Sequence, residues 1–117
     1  MSQIVFRKNV TVGAGTKVDN QVQGSDIEFL DGPWLLTLFA TEDTGDGVLT
    51  LRNGSRQTIA SEALPNVNTN AVVNTQQDML AQSVLVQNAH VILSLDNSAG
   101  SGDTEFRILL VAEQVPS

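Results

Sequence analysis

The chain contains no cysteine and no tyrosine, and only one tryptophan and one histidine in 117 residues. Without cysteine there is no disulfide framework and no thiolate metal site. With aromatics at 4% of residues, a core has to be built from Val, Leu and Ile, which suit pleated, half-buried surfaces. Surface scaling lets a chain of this size hide roughly 65% of its unfolded surface, enough for one core without staples. No apolar run approaches the roughly 18 residues of a membrane span, so no membrane partner is expected. The opening Met1-Ser2-Gln3-Ile4-Val5-Phe6-Arg7-Lys8 places its charge after a very short apolar stretch. That is the wrong order and length for a secretory signal, and the chain is expected to be made in a cytoplasm and not exported by the usual route.

Positive charge is also scarce. Arg7, Lys8, Lys17, Arg52, Arg56 and Arg107 are scattered, and the net charge is −7. Phosphate binding needs clustered cations, so nucleic acid is not an expected partner. Charged residues are only 16% of the total, and Asn, Gln, Ser and Thr supply most of the polar surface. That balance favours solubility and a protein partner.

What is present is a series of short strand-like runs separated by Gly/Asn/Asp/Ser clusters. Residues 4–12 alternate with Ile4, Phe6, Val10 and Val12 on one face, interrupted by Lys8. Asp26 to Leu30 is a short strand, and Asp31-Gly32-Pro33 reads as a turn. Residues 34–42 give the strongest strand, with Trp34, Leu36, Leu38 and Ala40 on one face. A loop, Asp43-Thr44-Gly45-Asp46-Gly47, then reads as the connection of a hairpin into Val48–Arg52. Asn53-Gly54 is the best tight-turn dipeptide and leads into Gln57–Ala60. Pro65–Asn70 reads as loop, Val72 and Val73 as a brief strand, and Gln76–Ser83 as either a helical turn or part of a strand reaching Val84–Val86. Val91, Leu93 and Leu95 line another strand. The last, Glu105–Glu113, turns Phe106, Ile108, Leu110 and Ala112 inward. The reading is one domain over 1–117, all-β, a β-sandwich of jelly-roll-like character, with 1–15 as an extended N-terminal arm or strand.

Little here carries chemistry. His90 has no Gly-x-Ser-x-Gly elbow or Cys to serve, and reads as a strand-edge or interface residue. Glu42, Asp43 and Asp46 share a loop with glycines, but the spacing of a calcium loop is absent, and Asp and Gly are ordinary turn residues. Asp43 and Asp46 are the first ligands to consider if a cation were bound. Gly13-Ala14-Gly15 is too short for a phosphate loop. Asn9-Val10-Thr11 and Asn53-Gly54-Ser55 match the glycosylation sequon by chance in a chain that is not exported. Trp34 starts the most apolar strand, which favours burial over sugar stacking. No catalytic, cofactor-binding or metal residue is assigned, and no enzyme activity is expected.

An acidic, Cys-free β-domain of this size, rich in Val, Thr, Asn and Gln, resembles the small cement or decoration proteins of tailed-phage heads. The segments that carry the likeness are Trp34–Asn53 and Val91–Glu113, which look like strand pairs of jelly-roll cement proteins. The resemblance implies a non-enzymatic structural virion protein on the capsid exterior. It would bind the outer surface of the major capsid protein, stabilise the head, and act as a homo-oligomer, dimer or trimer. The N-terminal strand is the expected contact, through Ile4, Val5, Phe6, Arg7, Val10 and Val12, pairing with an exposed sheet edge on a neighbour. The alternative is a carbohydrate- or receptor-binding β-sandwich module of a phage tail or fibre.

Overall fold

The computed structural model describes residues 3–44, 46–63 and 79–116. All regular structure among these residues is antiparallel β, and none is helical. There are seven strands: β1 (Gln3–Val12), β2 (Lys17–Val18), β3 (Phe29–Glu42), β4 (Val48–Asn53), β5 (Gln57–Ala63), β6 (Met79–Asp96) and β7 (Thr104–Gln114). The hydrogen-bonded order is β1-β7-β3-β6-β4-β5, with β2 added to β6. One strand, β6, belongs to both layers. Its first part, to His90, pairs with β3, and its second part, from Val91, pairs with β4. Residues of both layers meet in one apolar cluster that includes Leu36, Leu38 and Phe106 from one side and Leu49, Leu51 and Leu93 from the other. The fold is therefore the all-β, jelly-roll-like sandwich that the alternating pattern predicts.

The strand positions explain the composition of each strand. β7 and β3 are the central pair of their layer, flanked by β1 and β6. Central strands with apolar residues on both faces read as near-continuous hydrophobic runs. Trp34-Leu35-Leu36-Thr37-Leu38-Phe39-Ala40 and Ile108-Leu109-Leu110-Val111 have that character. Their inward members form the main core, while Phe39, Leu109 and Val111 form a second small cluster on the opposite face. Trp34, Leu36, Leu38, Leu49, Leu51, Leu93, Leu95, Phe106, Ile108 and Leu110, the residues that period two turns inward, are all buried. Each contributes about 1.5–3 kcal/mol relative to an exposed position.

Several local expectations are corrected. Asp31-Gly32-Pro33 is not a turn but a bulge inside β3, where the register steps between Leu30/Ala89 and Pro33/Gln87. Gly32 takes the left-handed conformation (φ 81°) and its N–H donates to Asn88 Oδ1 at 2.8 Å, while Asn88 itself sits at φ 50°. A bulge tolerates the proline because the ladder is already interrupted there. β3 and β4 do not form a hairpin either. β3 already pairs with β6 and β7 on its two edges, so the chain after Glu42 crosses to the other layer. The segment from Asp96 to Asp103 crosses layers in the same way, since β6 beyond Val91 pairs with β4 and β2 while β7 pairs with β1 and β3. The two segments that carry the cement-protein likeness are thus arches between sheets, and the hairpin in that region is β4–β5, closed around Gly54 (φ 54°). Of the two readings for the stretch reaching Val84–Val86, residues 79–86 take the strand. The readings for Pro65–Asn70, Val72, Val73 and 76–78 lie outside the described residues. Of Asp26–Leu30 only Phe29 and Leu30 are strand, as the start of β3, and the stretch before it places Val22 and Ile27 in the core.

Candidate functional site

The N-terminal strand is an edge. β1 runs antiparallel to β7 in unbroken register from Gln3↔Glu113 to Val12↔Thr104. Among the described residues, its other side pairs with no strand. The two faces of β1 differ. Val12 is 1% exposed and belongs to the core, and Ile4, Phe6 and Val10 pack against that core while remaining half-buried. Val5 and Arg7 lie on the opposite face, and Val5 is 57% exposed. The six residues singled out from the sequence are therefore on one strand but split between a packing role and an open one. Gln3–Val12 is a strand of this chain's own sheet. Removing it would strip the edge of β7 and the cover from Phe106, Ile108 and Leu110.

Regularity separates this edge from the other open side of the same layer. The β6 stretch facing away from β3 is interrupted three times, first at the bulge opposite Gly32-Pro33. The register steps between Leu36 and Leu38 and again before Phe39, with Ser83 at φ 47° and its N–H donating to the Thr37 hydroxyl at 3.1 Å. Bulges of this kind twist an edge away from further pairing. β1 has none.

A second feature lies where β6 changes layers. A groove of about 290 Å³ is lined by Asp19, Asn20, Gln23, Glu28, Arg52, His90, Ile92 and Ser94. Glu28 anchors it: its carboxylate accepts the Gly24 N–H at 2.9 Å and the Asn20 amide at 3.3 Å, and lies 3.3 Å from His90 Nε2. The Asn20 carboxamide stands in for a strand peptide, accepting the Leu93 N–H at 3.0 Å and donating to the Val91 carbonyl at 3.2 Å. Phe29, 65% exposed, stacks on the His90 ring with centroids 4.5 Å apart. Carboxylate next to imidazole is half of an acid–base constellation. The pair ties the 19–28 segment to β6.

The remaining candidates are structural in place. Trp34 is buried, and its indole N–H donates to the Asp31 carbonyl at 2.8 Å. The acidic loop does not gather its carboxylates. Glu42 turns inward and accepts the Thr44 N–H at 2.7 Å, while Asp43 accepts the Glu105 N–H at 3.0 Å. Asp46 instead donates its backbone N–H to the Thr44 hydroxyl at 3.3 Å. No group of three His, Cys, Asp or Glu side chains is placed to hold a metal among the described residues. No helix among them is long and apolar enough to cross a membrane. The half-buried Asp96 carboxyl is held below its ordinary value chiefly by the Ser98 hydroxyl, then by the Ser98 N–H and Lys17.

Sequence reasoning missed Glu28, Asn20 and the Phe29–His90 stack, because their partners are separated by up to 73 positions. The only available signal was Asn20 and Glu28 flanking the apolar Val22 and Ile27.

No family model and no curated protein matches the chain. Two solved structures overlap it loosely. One is described as Bacillus endospore appendages forming a family of disulfide-linked pili, at 13% identity and a TM-score of 0.35, covering 99% of this chain and 93% of that one. The other is the structure of infectious bursal disease virus, Gt strain, at 11% identity and a TM-score of 0.33. This chain is covered over 98% of its length there and spans 37% of the viral chain.

Proposed function

We propose that this chain is a structural virion protein: a capsid cement or decoration protein that binds the outer surface of the major capsid protein and stabilises the head. It acts as a homo-oligomer, without enzymatic activity, cofactor or metal. The observation that carries this reading is the β1 edge. It is long and regular, open among the described residues, and backed by a sheet whose central strands are apolar on both faces. An edge of that kind contributes backbone hydrogen bonds to a neighbouring sheet, and several copies on one particle add avidity. The amide- and hydroxyl-rich surface provides directional contacts without the cost of burying charge. The test is to add purified protein to shells lacking it. Binding should saturate at a fixed ratio to the major capsid protein and raise the temperature at which shells rupture. Unchanged rupture at full exposure to the protein would rule the role out.

The groove beside exposed Phe29 favours a second reading, a carbohydrate- or receptor-binding module of a phage tail or fibre. Acidic, basic and amide side chains with one exposed ring beside them suit a polyhydroxylated ligand. Glycan-induced shifts at His90 and Ser94 amides, lost in Phe29→Ala, would support it. Their absence across a glycan panel would remove it.

A further inference from the structure

We infer that the β1 edge takes an extended segment of a different protein in which apolar and acidic side chains alternate. The inference rests on the strand-pairing reading above and names the chemistry of the partner strand. The chain has 13 acidic and 6 basic residues, yet β1 carries Arg7 and Lys8 and no acid. Both cations are exposed and sit at the middle of the strand. Arg7 has no hydrogen-bond or ion-pair partner among the described residues. Lys8 projects to the core side of the edge, where its amine lies 3.4 Å from the carbonyl and the side-chain oxygen of Gln21, with no carboxylate. Charge at the centre of an open edge discourages indiscriminate pairing.

The same charge selects the partner. A two-fold pairing of β1 with β1 of a second copy, centred on the strand, sets Arg7 against Arg7 or, in the neighbouring register, Lys8 against Lys8. Like charges directly opposite each other destabilise a strand pair. A strand with a carboxylate opposite Arg7 or Lys8 gains an opposite-charge pair instead. Around them, exposed Val5 on one face and half-buried Ile4, Phe6 and Val10 on the other offer apolar surface that an added strand would cover. Discrimination thus comes from repulsion of the wrong strand as well as attraction of the right one.

The experiment uses the whole chain, amide hydrogen exchange read by NMR, and two synthetic peptides the length of β1. The peptides share a Val/Thr framework and differ only in carrying Glu or Lys at alternate positions. The Glu peptide should slow exchange at alternate amides along Gln3–Val12, and the Lys peptide should not. The Arg7→Glu/Lys8→Glu variant should reverse that preference, and Arg7→Gln/Lys8→Gln should lose it. Unchanged β3 and β7 amide shifts report that the variants are folded. Equal protection by both peptides, or by neither, overturns the proposal. So does protection that grows with protein concentration alone, the mark of a second copy. Peptide discrimination without any binding to shells would remove the cement reading and leave the edge chemistry standing.

Discussion

Thr104 donates its hydroxyl hydrogen bond to Asn97 Oδ1 at 3.0 Å, and both residues are fully buried. The Asn97 amide in turn donates to the carbonyls of Val12 and Gly102, each at 3.0 Å. Thr104 also meets the Thr44 hydroxyl at 2.7 Å, which reaches Glu42 at 3.1 Å. One polar chain therefore ties the end of β1 to both arches that cross between the layers. Asn97→Ala leaves buried carbonyls and a hydroxyl without partners and should cost about 2–4 kcal/mol. Asn97→Asp keeps the shape but replaces donors by a carboxylate facing carbonyls, and should cost at least as much. Urea unfolding of both variants checks this, and midpoints equal to the wild type would contradict it.

Gly47 lies against the buried ring of Phe106, whose Cζ would stand 2.5 Å from an added Cβ. The ring is enclosed and has nowhere to move. Gly47→Ala should cost about 1–3 kcal/mol through overpacking. In a Phe106→Leu background the added penalty should shrink, giving a coupling that a double-mutant cycle reads directly. Additive effects would show that the two positions do not share this contact.

Leu38 faces Leu110 across β3 and β7 and both are fully buried, whereas Leu85 is 58% exposed on the other face. Leu38→Ala should lose about 2–5 kcal/mol. Leu85→Ala should stay within about 0.5 kcal/mol of wild type, as surface changes usually do. Denaturant midpoints for the pair test whether the inward face has been correctly assigned.

The inward faces of β3, β4, β6 and β7 were legible because period two is a local property of the sequence. Connections were not. Asp43–Gly47 has the residues of a hairpin loop, and nothing in it tells a hairpin from an arch. That choice is made by β6 and β7, which occupy both edges of β3. Gly32-Pro33 carries the same ambiguity, since the bulge depends on Asn88. Of the candidate contact residues, alternation placed Ile4, Phe6, Val10 and Val12 together. It did not show that their face already serves the chain's own core, leaving Val5 and Arg7 on the opposite side. The groove at Glu28 was invisible because His90, Asn20 and Glu28 meet only after β6 folds beside the 19–28 segment.

Asp96 is ionised more readily in the fold than in the unfolded chain, through the Ser98 hydroxyl and N–H and then Lys17. A carboxyl with a lowered folded pKa contributes stability above its unfolded value, and that contribution fades as pH falls through the folded value. Ser98→Ala should therefore narrow stability near neutral pH, with the gap to wild type closing as pH drops below the ordinary value of 3.8. Thermal unfolding of both proteins from neutral to acid pH measures it. A gap that does not change with pH would assign the Ser98 effect to something other than Asp96.

The most direct test of the proposed structural role is the protein composition of purified virus particles from cells in which this chain is made. Quantitative mass spectrometry should find it in many copies, in fixed ratio to the major capsid protein, and surface labelling of intact particles should reach it. Its absence from particles, or a few copies confined to the tail, would contradict a cement role.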